Sequence, residues 1–372
     1  MTARENHRMS HGNVMKFLLP VFLSFLLLAG TGCGTGGPGE PAEAAVTYSS
    51  RVDIDEGTGW HVVTLEAVHP GDPSRNITVK ITPEGGSDMF SFVAGEYELL
   101  VAPDTLSRPG NMGVPVLYPA PNRTTDATYR FLGETYVFQV PGEQRPRVLH
   151  GLVNNDTAWQ FDEPEVTSEG VTLTTFYVFD EDNPRFAAYP FKNTLTLRFT
   201  VMADRVRLGY TVENQDTKPL GFGFGVHPYW RVHGTRDDVR LQVDVPWHME
   251  AINLYPTGNL DPTGGTEWDL TEPTVLSTLS LDDVYFGATP ESEVNIFFDA
   301  IGRVLNIRAT EDFTHIVVYS PDRNYVCIEN QTQSTDAFNL HDRGLVEEAH
   351  LQILPAGQTT GGHIDYIVSS PE

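Results

Sequence analysis

The chain reads Thr194-Leu195-Thr196-Leu197-Arg198-Phe199-Thr200-Val201 and, after a short break at Ala203-Asp204, continues Val206-Arg207-Leu208-Gly209-Tyr210-Thr211-Val212. Apolar residues occupy every second position in both segments. Successive side chains of a β-strand point to opposite faces, so this period of two predicts two strands that each bury one face. A short polar connection between such strands predicts an antiparallel hairpin over residues 194–212.

The same alternation recurs along the chain. It predicts a further strand over residues 171–179 and a second hairpin built from residues 294–298 and 304–307. Glycine, proline, asparagine and aspartate separate these segments, and we find neither a three-turn amphipathic helix nor a repeat of 20–50 residues. The pattern predicts an all-β fold, a large antiparallel β-sandwich, with two β domains as the alternative.

The N-terminal segment has the pattern of a secretory signal. Lys16 precedes an apolar run over residues 17–29, and small residues then lead to Cys33. The run is too short to span a membrane, and a cysteine directly after small residues is typical of a bacterial lipoprotein signal. We predict an exported, membrane-anchored protein at the periplasmic or cell surface, or alternatively a secreted one. Its parts would be a signal peptide over 1–32, a lipid on Cys33, a flexible tether over 33–45, and one catalytic domain over 46–372.

The net charge limits the kinds of molecule that the protein can bind, and the cysteine count limits its disulfides. The net charge is −26, and residues 1–32 contribute net positive charge, so the remainder is near −28. Such a surface repels nucleic acid and anionic lipid head groups. We therefore expect a neutral small-molecule substrate, no nucleic acid, membrane contact through the lipid alone, and a monomer. Cys327 is the single cysteine after Cys33, and its apolar neighbours predict a buried thiol without a disulfide.

The first candidate for chemistry is His227, in the run Gly221-Phe222-Gly223-Phe224-Gly225-Val226-His227-Pro228-Tyr229-Trp230. Proline fixes φ, so His227 is presented in a set direction at a strand end. Tyr229 and Trp230 follow at once, and aromatic faces suit the apolar side of a sugar ring. The alternative is a core histidine packed by aromatic rings.

Four more segments place unusual polar residues among apolar ones. Two prolines stiffen a loop before Arg123, and His150 precedes a glycine in what reads as an apolar strand. Asp282 and Asp283 are adjacent, so one can face inward while the other stays solvated. Glu329 closes an apolar strand, where burial would raise its pKa and make it a useful base. Each segment taken singly also has a structural interpretation. Arg123 could form an ion pair and His150 could be a core histidine. The aspartates could be turn residues, and Glu329 could be a solvated carboxylate.

The motifs that contain these residues, in their order along the chain, resemble those of the aldose 1-epimerases, the galactose mutarotase-like family. The matching pieces are Pro121-Asn122-Arg123, His150-Gly151, His227-Pro228-Tyr229, Pro256-Thr257-Gly258, Leu281-Asp282-Asp283 and Ile328-Glu329, with a closing strand and turn at His350-Leu351 and Pro355-Ala356-Gly357. No single piece is specific, but six in order over more than half of the chain are. The resemblance implies a large β-sandwich with its site in a concave cleft.

The resemblance also implies roles for the matching positions. Glu329 would be the general base that takes the proton from the anomeric hydroxyl, and His227 the general acid that protonates the ring oxygen. Arg123, His150 and Asp282 would hold sugar hydroxyls, with Tyr229 beside them. This reaction needs no metal, cofactor or nucleophile, so we expect none.

Some residues depart from the family pattern and leave alternatives open. Trp230 replaces the common phenylalanine, and Arg231 and Arg323 could bind a phosphate or uronate, which keeps a hexose-6-phosphate mutarotase in view. A non-catalytic carbohydrate-binding lipoprotein would keep the same fold and cleft. Asp282 and Glu329 could instead be a glycosidase pair, although His227 has no obvious place in that interpretation.

Overall fold

A computed structural model describes residues 45–106 and 113–370. The predicted signal peptide, Cys33 and the tether up to residue 44 lie outside the described residues, so export and lipidation stay predictions. No helix in the described ranges has the length and apolar character needed to cross a membrane.

The described residues contain 27 β-strands, numbered here in chain order: β1 Thr47–Ile54, β2 His61–Val68, β3 Ile77–Thr82, β4 Asp88–Ala94, β5 Tyr97–Glu98, β6 Val116–Leu117, β7 Thr128–Phe131, β8 Glu134–Val137, β9 Gln160–Phe161, β10 Glu165–Val166, β11 Val171–Phe179, β12 Asn193–Val201, β13 Arg205–Asn214, β14 Leu220–Phe222, β15 Gly225–Val226, β16 Trp230–Arg231, β17 Val239–Val243, β18 Trp247–Ile252, β19 Tyr255–Pro262, β20 Thr274–Val275, β21 Asp282–Phe286, β22 Val294–Phe298, β23 Arg303–Ala309, β24 His315–Tyr319, β25 Tyr325–Gln331, β26 Gln352–Leu354 and β27 Thr359–Ser369. Two short helices follow β25, namely α1 Ala337–Asp342 and α2 Val346–Ala349.

These strands form two large antiparallel sheets and smaller ones. The ten-stranded sheet has the order β10-β11-β12-β13-β27-β23-β22-β17-β20, with β9 beside β11. The eight-stranded sheet has the order β19-β18-β21-β24-β25-β15-β6, with β16 beside β25. A five-stranded sheet contains β1 to β5, and two-stranded ribbons pair β7 with β8 and β14 with β26. The all-β prediction is confirmed.

Both predicted hairpins are confirmed. The first consists of β12 and β13, with Val201 opposite Val206, and the second consists of β22 and β23, with Phe298 opposite Arg303. Along β12 and β13 the alternate apolar side chains are buried, and the polar ones between them are more exposed. Burying a side chain such as Leu197 stabilises the fold by about 1.5–3 kcal/mol, so the pattern fixes which face turns inward.

The core lies between the two large sheets. The ring of Trp230, beside β25, is 5.3 Å from that of Tyr366 on β27, and Phe224 stacks on Tyr210 of β13 at 4.2 Å. The five-stranded sheet joins the same core, since Phe92 of β4 packs edge-on against Trp230. The strands from Thr47 to Glu98 therefore pack against the same core as the two large sheets.

Strand β25 shows how the fold positions a site. Val326 and Ile328 point into the core between the sheets, whereas Cys327 belongs to a separate cluster on the opposite face. Glu329 shares that opposite face, because residues two apart in a strand point the same way. The thiol of Cys327 is fully buried, as the sequence predicted.

Candidate active site

The centre of the site is a buried pair formed by His227 and Glu329. Gly225 lies opposite Gln331, so two residues further along the antiparallel neighbours His227 comes opposite Glu329. The His227 amide donates to the Pro115 carbonyl, which fixes the backbone beyond β15. His227 Nε2 then lies 3.0 Å from Glu329 Oε1, with the two residues 7% and 2% exposed.

Burial sets the protonation of this pair. Desolvation lowers the pKa of His227 well below its usual range, helped by the neighbouring His150. Desolvation also raises the pKa of Glu329 well above its usual range, helped by the negative charge of Asp282. Gln331 Nε2 donates to Glu329 Oε2 at 3.1 Å and partly opposes that rise. Since burial disfavours both charged forms, the favoured state of the pair is the neutral one, with a single proton in total.

His150 lies beside this pair in a tight turn. Its ring is 5.1 Å from that of His227, edge to face, and its backbone is left-handed with φ 62°. Gly151 is also left-handed, and a Cβ there would come 2.3 Å from the Tyr118 carbonyl oxygen, so glycine is required. The strand expected around His150 is therefore wrong: two consecutive left-handed residues interrupt it. Burial and the charge of Arg123 lower the pKa of His150 to about 4, which leaves a neutral imidazole to bind hydroxyls.

Arg123 and Asp282 form the charged part of the site. Arg123 Nη2 lies 3.8 Å from Asp282 Oδ2, and both side chains are half-buried. Asn122, itself buried and left-handed, accepts a hydrogen bond from Arg123 Nη1 at 2.9 Å and orients the guanidinium. Burial raises the pKa of Asp282, while Arg123 opposes the rise. A guanidinium and a carboxylate in this arrangement can bind neighbouring hydroxyls as donor and acceptor.

Asp283, the acid next to Asp282, contacts a different residue. Asp283 points to the other side of β21, where its Oδ1 is 2.9 Å from His248 Nε2. The His248 ring stacks on Trp268 at 3.8 Å, so this group forms a packed unit of its own. The geometry therefore directs Asp282, rather than Asp283, toward Arg123.

The aromatic platform expected at Tyr229 and Trp230 is not formed. Adjacent residues point to opposite faces, and Trp230 turns into the core, where it is fully buried. Tyr229 is on the side of the site, but its ring stacks on the His227 ring at 4.5 Å and 14° and is 6% exposed. Tyr229 therefore supports the histidine from behind and does not present a free face.

Three residues of the site were missed from the sequence. Asn122 orients Arg123, Gln331 binds Glu329, and Tyr319 of β24 lies directly opposite Asp282 of β21. Gln331 could have been found by the period of two from Glu329. Tyr319 could not, because its position depends on the pairing of β24 with both neighbours.

The two arginines considered for an anionic group lie in other surroundings. Arg231 Nε donates to the Leu100 carbonyl at 3.2 Å, and Arg323 is exposed in the turn between β24 and β25. Among the interactions of the described residues, neither arginine contacts the five predicted polar residues of the site, which are Arg123, His150, His227, Asp282 and Glu329. Within the described ranges, no three His, Cys, Asp or Glu side chains are grouped as metal ligands would be.

The sequence matches a known protein family over most of its length. The sequence model of the aldose 1-epimerase family matches residues 74–366, which include every polar residue of the site. The chain is also similar to YihR of Escherichia coli K12, an uncharacterized protein, with 25% identity over 239 residues that cover 60% of this chain and 71% of YihR.

Solved structures share the fold. A galactose mutarotase-like protein from Clostridium acetobutylicum superposes with a TM-score of 0.74 at 16% identity, covering 87% of this chain and 99% of that one. Galactose 1-epimerase from Lactobacillus acidophilus superposes with a TM-score of 0.67 at 13% identity, covering 88% and 99%. At these identities the likeness is one of fold.

Proposed function

The chain belongs to the aldose 1-epimerase family, and on that basis we propose that it is an aldose 1-epimerase, a mutarotase that interconverts the α and β anomers of a free aldose. The observation that carries the proposal is the buried contact of 3.0 Å between His227 Nε2 and Glu329 Oε1. Mutarotation needs one proton removed from the anomeric oxygen and one delivered to the ring oxygen, and both oxygens are bonded to C1. An acid and a base side by side match that requirement.

The reaction follows from the proton shared by the pair. The reactive arrangement has the proton on His227 and a carboxylate at Glu329; it is the less populated form of the pair, because burial disfavours both charges. In this form Glu329 accepts the proton of the anomeric hydroxyl. His227 donates its proton to the ring oxygen as the C1–O5 bond breaks, giving the open-chain aldehyde. Rotation about the C1–C2 bond exposes the other face of the carbonyl. Ring closure reverses both transfers and gives the other anomer.

The proton count is conserved at each stage. Ring opening moves one proton onto Glu329 and one off His227, so the pair again carries one proton in total. Its net charge is zero before and after, which suits a site that excludes solvent. Positioned proton transfer of this kind accelerates each step by about 10²–10⁴-fold.

The remaining polar residues would hold the sugar. Arg123 and Asp282 supply a donor and an acceptor 3.8 Å apart, and neutral His150 can bind a further hydroxyl beside His227. Arg123 brings positive charge to the site, and Asp282 already opposes that charge. This balance favours a neutral aldose over a phosphorylated one.

The test is anomer exchange followed by NMR. Purified protein is added to freshly dissolved α-glucose, α-galactose, glucose 6-phosphate and glucuronate, and the approach to the anomeric equilibrium is timed against buffer alone. We expect acceleration with a free aldose. Acceleration confined to the phosphorylated sugar would replace the proposal with a hexose-6-phosphate mutarotase. Saturable sugar binding without acceleration would replace it with a carbohydrate-binding protein.

A further inference from the structure

A site that binds a sugar needs an apolar surface as well as polar groups. A pyranose ring presents hydroxyls at its edge and C–H bonds on its faces, and proteins bind those faces with aromatic rings. The rings expected to do so, Tyr229 and Trp230, are buried against His227 and in the core. The surface that meets the sugar face must therefore come from another residue.

Tyr319 has the position required. It lies directly opposite Asp282 on β21 and opposite Cys327 on β25, so it shares the face of the sheet that carries Glu329. Directly opposed residues have Cβ atoms about 5 Å apart, which places the Tyr319 ring beside the Asp282 carboxylate. On its other side the ring is 6.4 Å from that of His227, at 76°.

Exposure separates Tyr319 from the other tyrosines of this cluster. Tyr229 and Tyr325 are 6% and 7% exposed, whereas Tyr319 is half-buried. The Tyr325 ring is next to that of Tyr319, with ring centres 6.4 Å apart and the planes inclined by 48°. The Tyr319 ring is thus held on one side and accessible on another, between a proposed sugar-binding acid and the proposed catalytic acid.

We propose that Tyr319 is the stacking residue of the site: its ring binds the apolar C–H face of a pyranose whose C1 oxygens meet Glu329 and His227. This inference rests on the proposed function, because it takes the cleft to hold an aldose. Tyr319 transfers no proton in this account. It holds the ring over the acid–base pair while Arg123 and Asp282 bind hydroxyls at the edge.

The test compares Tyr319→Leu with Tyr319→Phe. Phenylalanine keeps the aromatic face and removes the hydroxyl, whereas leucine removes the face and keeps an apolar side chain. We expect Tyr319→Leu to raise KM for the free aldose about tenfold, with kcat changed by less than about twofold. Tyr319→Phe should restore KM to within about twofold of the wild type.

Tyr97→Leu is the matched control. Tyr97 is also a half-buried tyrosine that meets a histidine edge-on, with its ring 6.0 Å from that of His233, but it lies on β5. It should leave KM unchanged. An equal KM for Tyr319→Leu and wild type, or the same loss in Tyr319→Phe as in Tyr319→Leu, would overturn the proposal.

A binding measurement separates this inference from the proposed activity. In the Glu329→Gln background, NMR titration of glucose and galactose should show upfield shifts of the sugar C–H protons caused by the Tyr319 ring. Adding Tyr319→Leu should abolish those shifts and weaken binding about tenfold. Shifts that persist overturn the stacking role even if the wild type is an active mutarotase. A wild type without activity whose shifts depend on Tyr319 overturns only the catalytic proposal. If neither sugar binds, the stacking role is overturned, and the anomer-exchange rate of the wild type decides the activity separately.

Discussion

His227 Nε2 lies 3.0 Å from Glu329 Oε1 at a place where solvent is almost absent. Two groups that each disfavour their charged form can keep one proton between them without a net charge. The sheet imposes this contact, because the register of Gly225 with Gln331 sets His227 against Glu329. The proposed chemistry requires that the pair carries one proton, which can be bound to either His227 or Glu329.

The pH dependence of kcat/KM should reflect this pair. The active form carries one proton, so activity falls at low pH when the pair gains a second proton. Because burial lowers the pKa of His227, the acid limb should lie below the ordinary histidine value of 6.5. NMR exchange rates between pH 4 and 9, corrected for the spontaneous reaction, measure the profile. An acid limb at or above 6.5 would contradict the assigned protonation.

Asp282→Asn should move the alkaline limb of the same profile. The charge of Asp282 helps to raise the pKa of Glu329, so its removal lets the pair lose its proton at lower pH. We expect an alkaline limb at lower pH and a KM raised several-fold, because asparagine lacks the charge and one of the two acceptor oxygens of the carboxylate. Asp283→Asn is the matched control, because Asp283 binds His248 instead. Equal shifts in both variants would refute the distinction between the two acids.

Glu329→Gln should stabilise the fold, increasingly so at higher pH. The folded-state pKa of Glu329 is raised, so the unfolded chain releases this proton first and stability declines as pH rises above the ordinary glutamate value. A pKa difference of one corresponds to about 1.4 kcal/mol, and glutamine removes the penalty. Denaturant unfolding at pH 5 and pH 8 measures the difference, with exposed Glu213→Gln as the control. A gain that is the same at both pH values would argue against a buried, proton-retaining carboxyl.

Trp230→Ala should damage stability and leave sugar affinity intact. The indole is fully buried between Phe92 and Tyr366, and truncating such a ring costs about 3–5 kcal/mol. Thermal unfolding measures the loss, and KM at a temperature where the variant is folded tests the site. A raised KM with unchanged stability would place Trp230 in the cleft after all.

The strands with a clear alternation could be predicted from the sequence, and the family motifs contain the polar residues that the fold brings together. The hairpin of β12 and β13 follows from apolar residues at every second position, since only one face can be buried. Glu329 and His227 were identifiable because they lie in short motifs whose order along the chain resembles the family.

Other features depend on contacts that no local pattern encodes. The left-handed turn at His150 arises because Gly151 must pass close to the Tyr118 carbonyl. The burial of Trp230 depends on the ten-stranded sheet behind it, and the position of Tyr319 depends on the register of three strands. Tyr229 was placed on the correct side of the site, but its stacking on His227 becomes visible only when the residues are folded together.

The most direct test of the central claim is the rate of anomer exchange in Glu329→Gln and His227→Asn, measured with the aldose that the wild type accelerates best. Glutamine keeps the shape of Glu329 and one of its two acceptor oxygens but cannot accept the proton, and asparagine removes the acid. Each variant should lose about 10²–10⁴-fold in catalysed rate while keeping the wild-type unfolding cooperativity and sugar binding. A folded Glu329→Gln protein with a rate near that of the wild type would contradict the account.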